Sequence, residues 1–460
     1  MTLLSPFKDR NFLRLYLAQI VSLLGTGLAT IALALIVFDQ YPEQAGLILG
    51  AVLAVKMVAY LFVAPLVGAY VHRLSRRKWL AALNLCRAVI IAALPWFYEL
   101  WHLFALVFLL NVMAAGYTPV YQALLPDILQ DAEQYTQALA LSRLAMELES
   151  LLSPTLAAAL LLVLPYSILF ELNAVAFVLA VLLLLTSRFP APSLKERSGG
   201  IWQHVSFGIK SYLGTPRLKA VLWLNLAISA AGAMVIVNSV VYVRQHLNLD
   251  ENYVPLVMAS LGCGSMFTAL ILPRLLSKTS DRSMMRLGGF LASIALFAGL
   301  SQPGYLGLFL LWFMVGIASS LVLIPTGRVV SESCKPGDRS DFFSANFSLT
   351  HGMWLICYLV AGFVGQTFGL VVCFGVLGLI ALVSTLMAGV VWRVEGQSSL
   401  WHEHPTQDHL HPHVHDEHHQ HAHEGWEGPE PHVHSHHHVQ QQHRHHFVID
   451  EHHLHWPRQL

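Results

Sequence analysis

Histidine is the residue type here whose spacing most clearly suggests chemistry. The sequence has 26 histidines, and 21 of them lie between positions 397 and 460. They recur as His-x-His, at His402/His404, His409/His411/His413/His415, His421/His423, His432/His434/His436 and His443/His445. They also occur as neighbours at His418/His419, His437/His438, His445/His446 and His452/His453, with His455 beyond. Imidazole without thiolate suits the late first-row dications Ni²⁺, Zn²⁺, Cu²⁺ and Co²⁺, whereas Mg²⁺ and Ca²⁺ ask for all-oxygen sites. Asp408, Asp416, Glu417 and Glu424 are interleaved and can complete coordination or orient a ring. A solvating tail, or a pH sensor charging below about pH 6.5, competes with the metal reading. Solvation, however, would be served equally by Lys and Glu. Low apolar content and frequent Pro predict no packed core, so residues 396–460 are expected to form a disordered His-rich metal-binding tail.

A second set of candidates consists of charges inside long apolar runs, where each costs several kcal/mol and so tends to be paired or functional. They are Lys56, Arg87, Arg143, Glu147, Glu149 and Glu171. Arg143 and Glu147 are four apart, which allows an ion pair along one helix face. Glu149 falls about 200° round the helix from Glu147, so the two carboxylates cannot both line one cavity from a straight helix. Asn346, Thr350, Met353 and Cys357 share a helical stripe with His351 one position off it, a set of soft or neutral ligands that equally suits packing. Gln19, Ser22, Thr26 and Thr30 form another stripe, fit for a wet cavity or for interhelical hydrogen bonds. Tyr117, Tyr121 and Trp312 are the candidates for an aromatic lining.

These residues must be held by membrane-spanning helices. At 55% hydrophobic and 12% charged, with a mean hydropathy of +0.56, the 460 residues cannot be given ordinary polar cover. Apolar runs of about 20 residues, without strict alternation, match helices across a bilayer core of about 30 Å. Twelve are expected, at 12–38, 46–70, 79–98, 102–122, 137–163, 167–187, 217–243, 253–276, 284–301, 305–327, 342–367 and 370–392. The expected division is an N-terminal six-helix half (1–187), a linker (188–216), a C-terminal six-helix half (217–395) and the tail. Within the linker, Ile201, Val205, Ile209 and Tyr212 recur at helical spacing, predicting a short helix in the membrane interface. Lys and Arg crowd the loops on the side of the N-terminus, leaving Arg244 on the other, so both termini are expected in the cytoplasm. The cysteines Cys86, Cys263, Cys334, Cys357 and Cys373 show no CxxC spacing and read as packing residues. No catalytic triad, phosphate loop or HExxH motif appears, so an enzyme is not expected, nor is a cleavable signal peptide.

After the second run, Gly68-Ala69-Tyr70-Val71-His72-Arg73-Leu74-Ser75-Arg76-Arg77-Lys78 reads as a degenerate G-x-x-x-D-R-x-G-R-R, with Gly68, Arg73, Arg76 and Arg77 in register and His72 and Ser75 departing from it. This resembles the signature loop of the major facilitator superfamily. Leu124-Leu125-Pro126-Asp127, followed by Ala138-Leu139-Ala140-Leu141-Ser142, resembles the segment joining helices four and five in its siderophore and macrolide exporter branch. With the His-rich tail, the whole resembles bacterial nickel-resistance permeases. The resemblance implies an all-α fold of twelve transmembrane helices in the bacterial inner membrane, exporting Ni²⁺, with Co²⁺ and Zn²⁺ as further candidates, by proton antiport. It supplies the choice of nickel, which the residues alone leave open. In that reading Glu147 is the proton-coupling carboxylate, with Lys56 or Arg87 as a modulating charge; the alternative for Glu147 is a structural ion pair that holds the fifth helix to its neighbours. Ni²⁺ is substrate and tail ligand, no prosthetic group or nucleic-acid partner is expected, and the chain is a monomer. The alternative is export of an organic drug or siderophore, with the tail as a metal-binding regulatory or storage module.

Overall fold

The computed structural model describes residues 3–41, 45–71, 74–96, 99–190, 200–250, 253–392, 399–404, 407–413, 432–438, 441–449 and 456. Among them, twelve helices are long and apolar enough to cross a membrane. The first half contains α1 (Arg10–Gln40), α2 (Ala45–Val71), α3 (Arg76–Ala93), α4 (Leu100–Ile128), α5 (Ala132–Leu161) and α6 (Ser167–Leu185). A shorter helix, α7 (Ile201–Gly214), follows. The second half contains α8 (Pro216–Val241), α9 (Tyr253–Leu276), α10 (Asp281–Ala298), α11 (Tyr305–Ser331), α12 (Arg339–Phe368) and α13 (Leu370–Val391).

Polar residues at the edges of the apolar runs start these helices by satisfying their first backbone N–H groups. The Asp9 carboxylate accepts from the N–H of Asn11 (2.7 Å) and Phe12 (2.9 Å), and Asp131 accepts from Gln134 N–H (2.8 Å). Gly369, at φ +85°, makes the reversal between α12 and α13 that a side chain would strain. Helices α9 and α11 cross closely because Gly264 and Gly316 face each other's backbones. A Cβ on Gly264 would lie 2.0 Å from Phe313 O, and one on Gly316 would lie 2.0 Å from Leu261 O.

The predicted linker helix is present, and it touches both halves. α7 packs on α2 of one half and α12 of the other, with Tyr212 and His204 buried while Trp202 is exposed. Tyr212 is buried among residues of the second half, and its hydroxyl donates to Asn346 Oδ1 at 2.9 Å. Burial pushes its phenol above the ordinary range.

In the tail, β1 (Ser399–His404) pairs antiparallel with β4 (Gln441–His446), and β2 (Gln407–His413) with β3 (His432–His438). Phe447, Val448 and Ile449 are buried, with Ile449 against Gly214 of α7.

Candidate functional site

Two layers of polar residues join the halves. One lies at the end that bears the termini and the other at mid-helix. In the first, Asp127 at the end of α4 takes Arg76 of its own half and Arg339 of the other, with its side chain 10% exposed. Arg328 on α11 donates to Thr136 Oγ1 of α5 (2.9 Å) and pairs with Asp281 of α10 (3.4 Å). Tyr135 OH donates to Gly327 O at 3.0 Å. The signature loop belongs to this layer. Gly68 lies so close to α12 that a Cβ would meet Ser344 Oγ at 2.5 Å, and Arg77 donates to Ser187 O at 3.3 Å. His72 and Arg73 lie outside the described residues. Nearby, burial raises the Cys334 thiol above its usual range.

At mid-helix, the Arg143–Glu147 ion pair forms at 2.5 Å. It also reaches the other half, because the Ser265 hydroxyl of α9 donates to Glu147 Oε1 (2.8 Å) and accepts from Arg143 Nε (2.9 Å). Ser320 of α11 donates in turn to Ser265 O at 3.0 Å. Glu149 leaves α5 toward α1, where its Oε1 would lie 2.6 Å from a Cβ on Gly27. It remains within electrostatic reach of Lys56 and Glu147.

The α2–α12 seam holds Tyr60 between Phe347 (5.0 Å) and His351 (4.8 Å, edge-on), and Lys56 Nζ sits 5.6 Å from the Tyr60 ring. His351 Nδ1 is held by Phe347 O at 2.7 Å. Asn346, Thr350 and Cys357 are buried and Met353 is half-buried, and Asn346 is already engaged by Tyr212. On α1, Ser22 is buried, Thr30 is exposed, and Thr26 accepts from Arg87 NH2 at 3.2 Å. Glu171 is exposed near the start of α6, apart from the others. Among the described residues no three of His, Cys, Asp or Glu come together as a metal cage, and the five cysteines are free.

Of the three aromatic candidates, Tyr117 and Tyr121 come together, stacked at 6.2 Å, while Trp312 lies elsewhere. Trp312 is fully buried inside the second half, its Nε1 donating to Ser239 Oγ at 2.8 Å, and Tyr117 and Tyr121 are core residues of the first. Sequence reasoning missed Asp127 as a charge partner, along with Arg339, Ser265 and Asp281. The signal for Asp127 was its place in the Leu124–Asp127 run that the exporter resemblance had already singled out.

Residues 15–298 and 222–429 match the Major Facilitator Superfamily, in keeping with twelve helices in two joined halves. The chain belongs to this superfamily. As a major facilitator transporter it is similar to an uncharacterized MFS-type transporter of Bacillus subtilis (strain 168), YvqJ. The identity is 21% over 381 residues, covering 78% of this chain and 87% of the relative. Its fold is similar to that of the human organic anion transporter MFSD10 (TETRAN), with TM-score 0.72 and 15% identity, covering 82% of this chain and 99% of that one. It is also similar to a bacterial homologue of the iron transporter ferroportin in an outward-facing state, with TM-score 0.65 and 18% identity, covering 83% of this chain and 98% of that one.

The tail histidines divide in two. His415, His418, His419, His421, His423, His452, His453 and His455 lie outside the described residues. Of those in strands, the register sets His402 opposite His443, His409 opposite His436, His411 opposite His434 and His413 opposite His432. His404 and His438 stand opposite Gln441 and Gln407, His437 opposite Asp408, and His445 and His446 opposite Leu400 and Ser399.

Proposed function

We propose that this major facilitator transporter exports Ni²⁺ from the cytoplasm across a bacterial inner membrane in exchange for protons, with Co²⁺ and Zn²⁺ as cations the same imidazoles accept. The observation that carries the reading is the tail, where 21 histidines follow the last span and several stand opposite one another across the strand pairs. The tail captures cytosolic metal and presents it to the transporter at high effective concentration through weak, exchangeable sites. Glu147 is the coupling carboxylate. It is held by Arg143 from its own helix and Ser265 from the other half. When the halves part, Oε1 loses the Ser265 donor and keeps the Arg143 guanidinium of its own helix, so the contacts of this carboxylate change with the conformation of the transporter.

The test is growth of a metal-sensitive bacterium expressing the full chain across Ni²⁺, Co²⁺, Zn²⁺ and Cu²⁺, with cell metal read by mass spectrometry. Nickel tolerance should rise while cell nickel falls. Tolerance with unchanged cell nickel would reduce the tail to sequestration and overturn the export reading. Glu147→Gln should abolish export while the purified chain still binds nickel. Deleting 397–460 should lower resistance at moderate metal and leave transport in vesicles. A second reading, export of an organic drug or siderophore with the tail as a regulatory or storage module, is favoured by the cationic Lys56 and Arg87 in the first half. It predicts normal nickel content in expressing cells.

A further inference from the structure

Arg87, named with Lys56 as a charge to modulate Glu147, has polar contacts in the first half that do not include that carboxylate. Arg87 extends from α3 among four other helices. Its NH2 donates to Thr26 Oγ1 on α1 (3.2 Å), its NH1 approaches Asn84 Oδ1 (3.5 Å), and its guanidinium carbon lies 4.2 Å from the centre of the Phe177 ring on α6. Tyr60 of α2 and Tyr117 of α4 lie within electrostatic reach. Five other cations of the site have a carboxylate close by: Arg143 has Glu147, Arg76 and Arg339 share Asp127, Arg328 has Asp281, and Lys56 is in the field of Glu149. Arg87 has none among the described residues.

The acceptors it meets, Thr26 Oγ1 and Asn84 Oδ1, are neutral. Arg87 Nε is a buried donor with no hydrogen-bond partner, and beside it the Tyr117 hydroxyl and the Asn84 amide have only each other. A buried donor left unmade is costly, and a guanidinium without a counter-anion in a low-dielectric bundle is more so. The missing component is an acceptor that is negatively charged and flat enough for a guanidinium fork, which describes a carboxylate. Further along, Gln19 Oε1, Ser22 Oγ and Asn173 Oδ1 are likewise buried and unpaired, and they can accept from hydroxyl or amide groups on the remainder of such a molecule.

We propose that Arg87, with Asn84, Thr26 and Tyr117, forms a binding site for the carboxylate of a small organic anion. Arg87 pairs with it through charge-assisted hydrogen bonds, Asn84 and Tyr117 add donors, and the Phe177 ring fixes the guanidinium plane. The site goes beyond the metal reading and is tested without metal.

The full-length chain, purified in detergent with a chelator present, is titrated at fixed pH and ionic strength with sodium acetate, succinate, citrate and benzoate against sodium chloride, following thermal unfolding by tryptophan fluorescence. At least one carboxylate should raise Tm saturably above chloride, as a ligand that binds the folded state must. Arg87→Gln should abolish the shift, and Arg87→Lys, keeping the charge without the fork, should weaken it about tenfold or more. Thr26→Val, which removes an oxygen that orients the guanidinium, should weaken it severalfold and serves if Arg87→Gln does not fold. No carboxylate exceeding chloride on the wild-type chain, or an equal shift in a folded Arg87→Gln, overturns the site. Loss of nickel export with this titration intact would sink the metal reading alone.

Discussion

Replacing Asp127 by Asn removes a negative charge shared by Arg76 and Arg339. Arg76 begins α3 in the same half as Asp127, so that contact persists whichever way the halves tilt, and only the Arg339 contact belongs to the conformation closed at the terminus-bearing end. A hydrogen bond to a charged group contributes about 1.5–3 kcal/mol net, and breaking a fully buried pair costs about 3–5 kcal/mol. Arg339 is 17% and Asp127 10% exposed, near an end that meets water, so about 2 kcal/mol is the appropriate share. That is roughly a 30-fold change in the ratio of closed to open, enough to bring an open state at about 1% to about 23%. Spin labels at Gln130→Cys and Glu332→Cys, in a chain whose five native cysteines are replaced, flank this closure from opposite halves. Pulsed dipolar spectroscopy in liposomes should show a longer-distance population in Asp127→Asn and in Arg339→Gln, with the double variant adding little. An unchanged distance distribution in both single variants would refute the argument that this pair holds the end shut.

Other positions yield sharper, smaller tests. Gly264→Ala forces a Cβ to within 2.0 Å of Phe313 O and should cost about 1–3 kcal/mol, read as a lowered thermal midpoint. Gly362→Ala, where an added Cβ meets open space, is the control. Tyr212→Phe leaves Asn346 Oδ1 without its 2.9 Å donor and should cost about 1–2 kcal/mol by the same measurement; no change would mean α7 is not pinned there. Because burial disfavours the thiolate of Cys334, its thiol stays protonated to higher pH than an ordinary cysteine. Its alkylation should therefore stay slow through about pH 9, where a free thiol has already titrated near pH 8.5, and a rise centred there would contradict the burial.

Much of this architecture is legible from local pattern. Runs of apolar residues with polar edges determine where a chain can cross a bilayer, and they located the twelve spans, most of their ends to within a few residues; helical spacing located the short helix at 201–214. The Arg143–Glu147 pair follows from spacing alone, since residues four apart on a helix meet whatever surrounds them. The opposite directions of Glu147 and Glu149 follow from the same geometry. The sequence likewise set the composition of the tail, with its alternating histidines.

Contacts between helices distant in the chain are another matter. Asp127 meets Arg339 across 212 positions and Glu147 meets Ser265 across 118, and neither spacing leaves a trace in the periodicity of its own helix. Trp312 turned inward to Ser239 rather than lining a space between the halves, because the rotation of a helix about its axis is set by the neighbours it packs against. The same holds for α7, whose amphipathic face looked suited to lipid and was claimed by α2 and α12. Local chemistry decides which segments enter the membrane. Tertiary packing decides which of their polar groups find partners and which, like Arg87 Nε, do not.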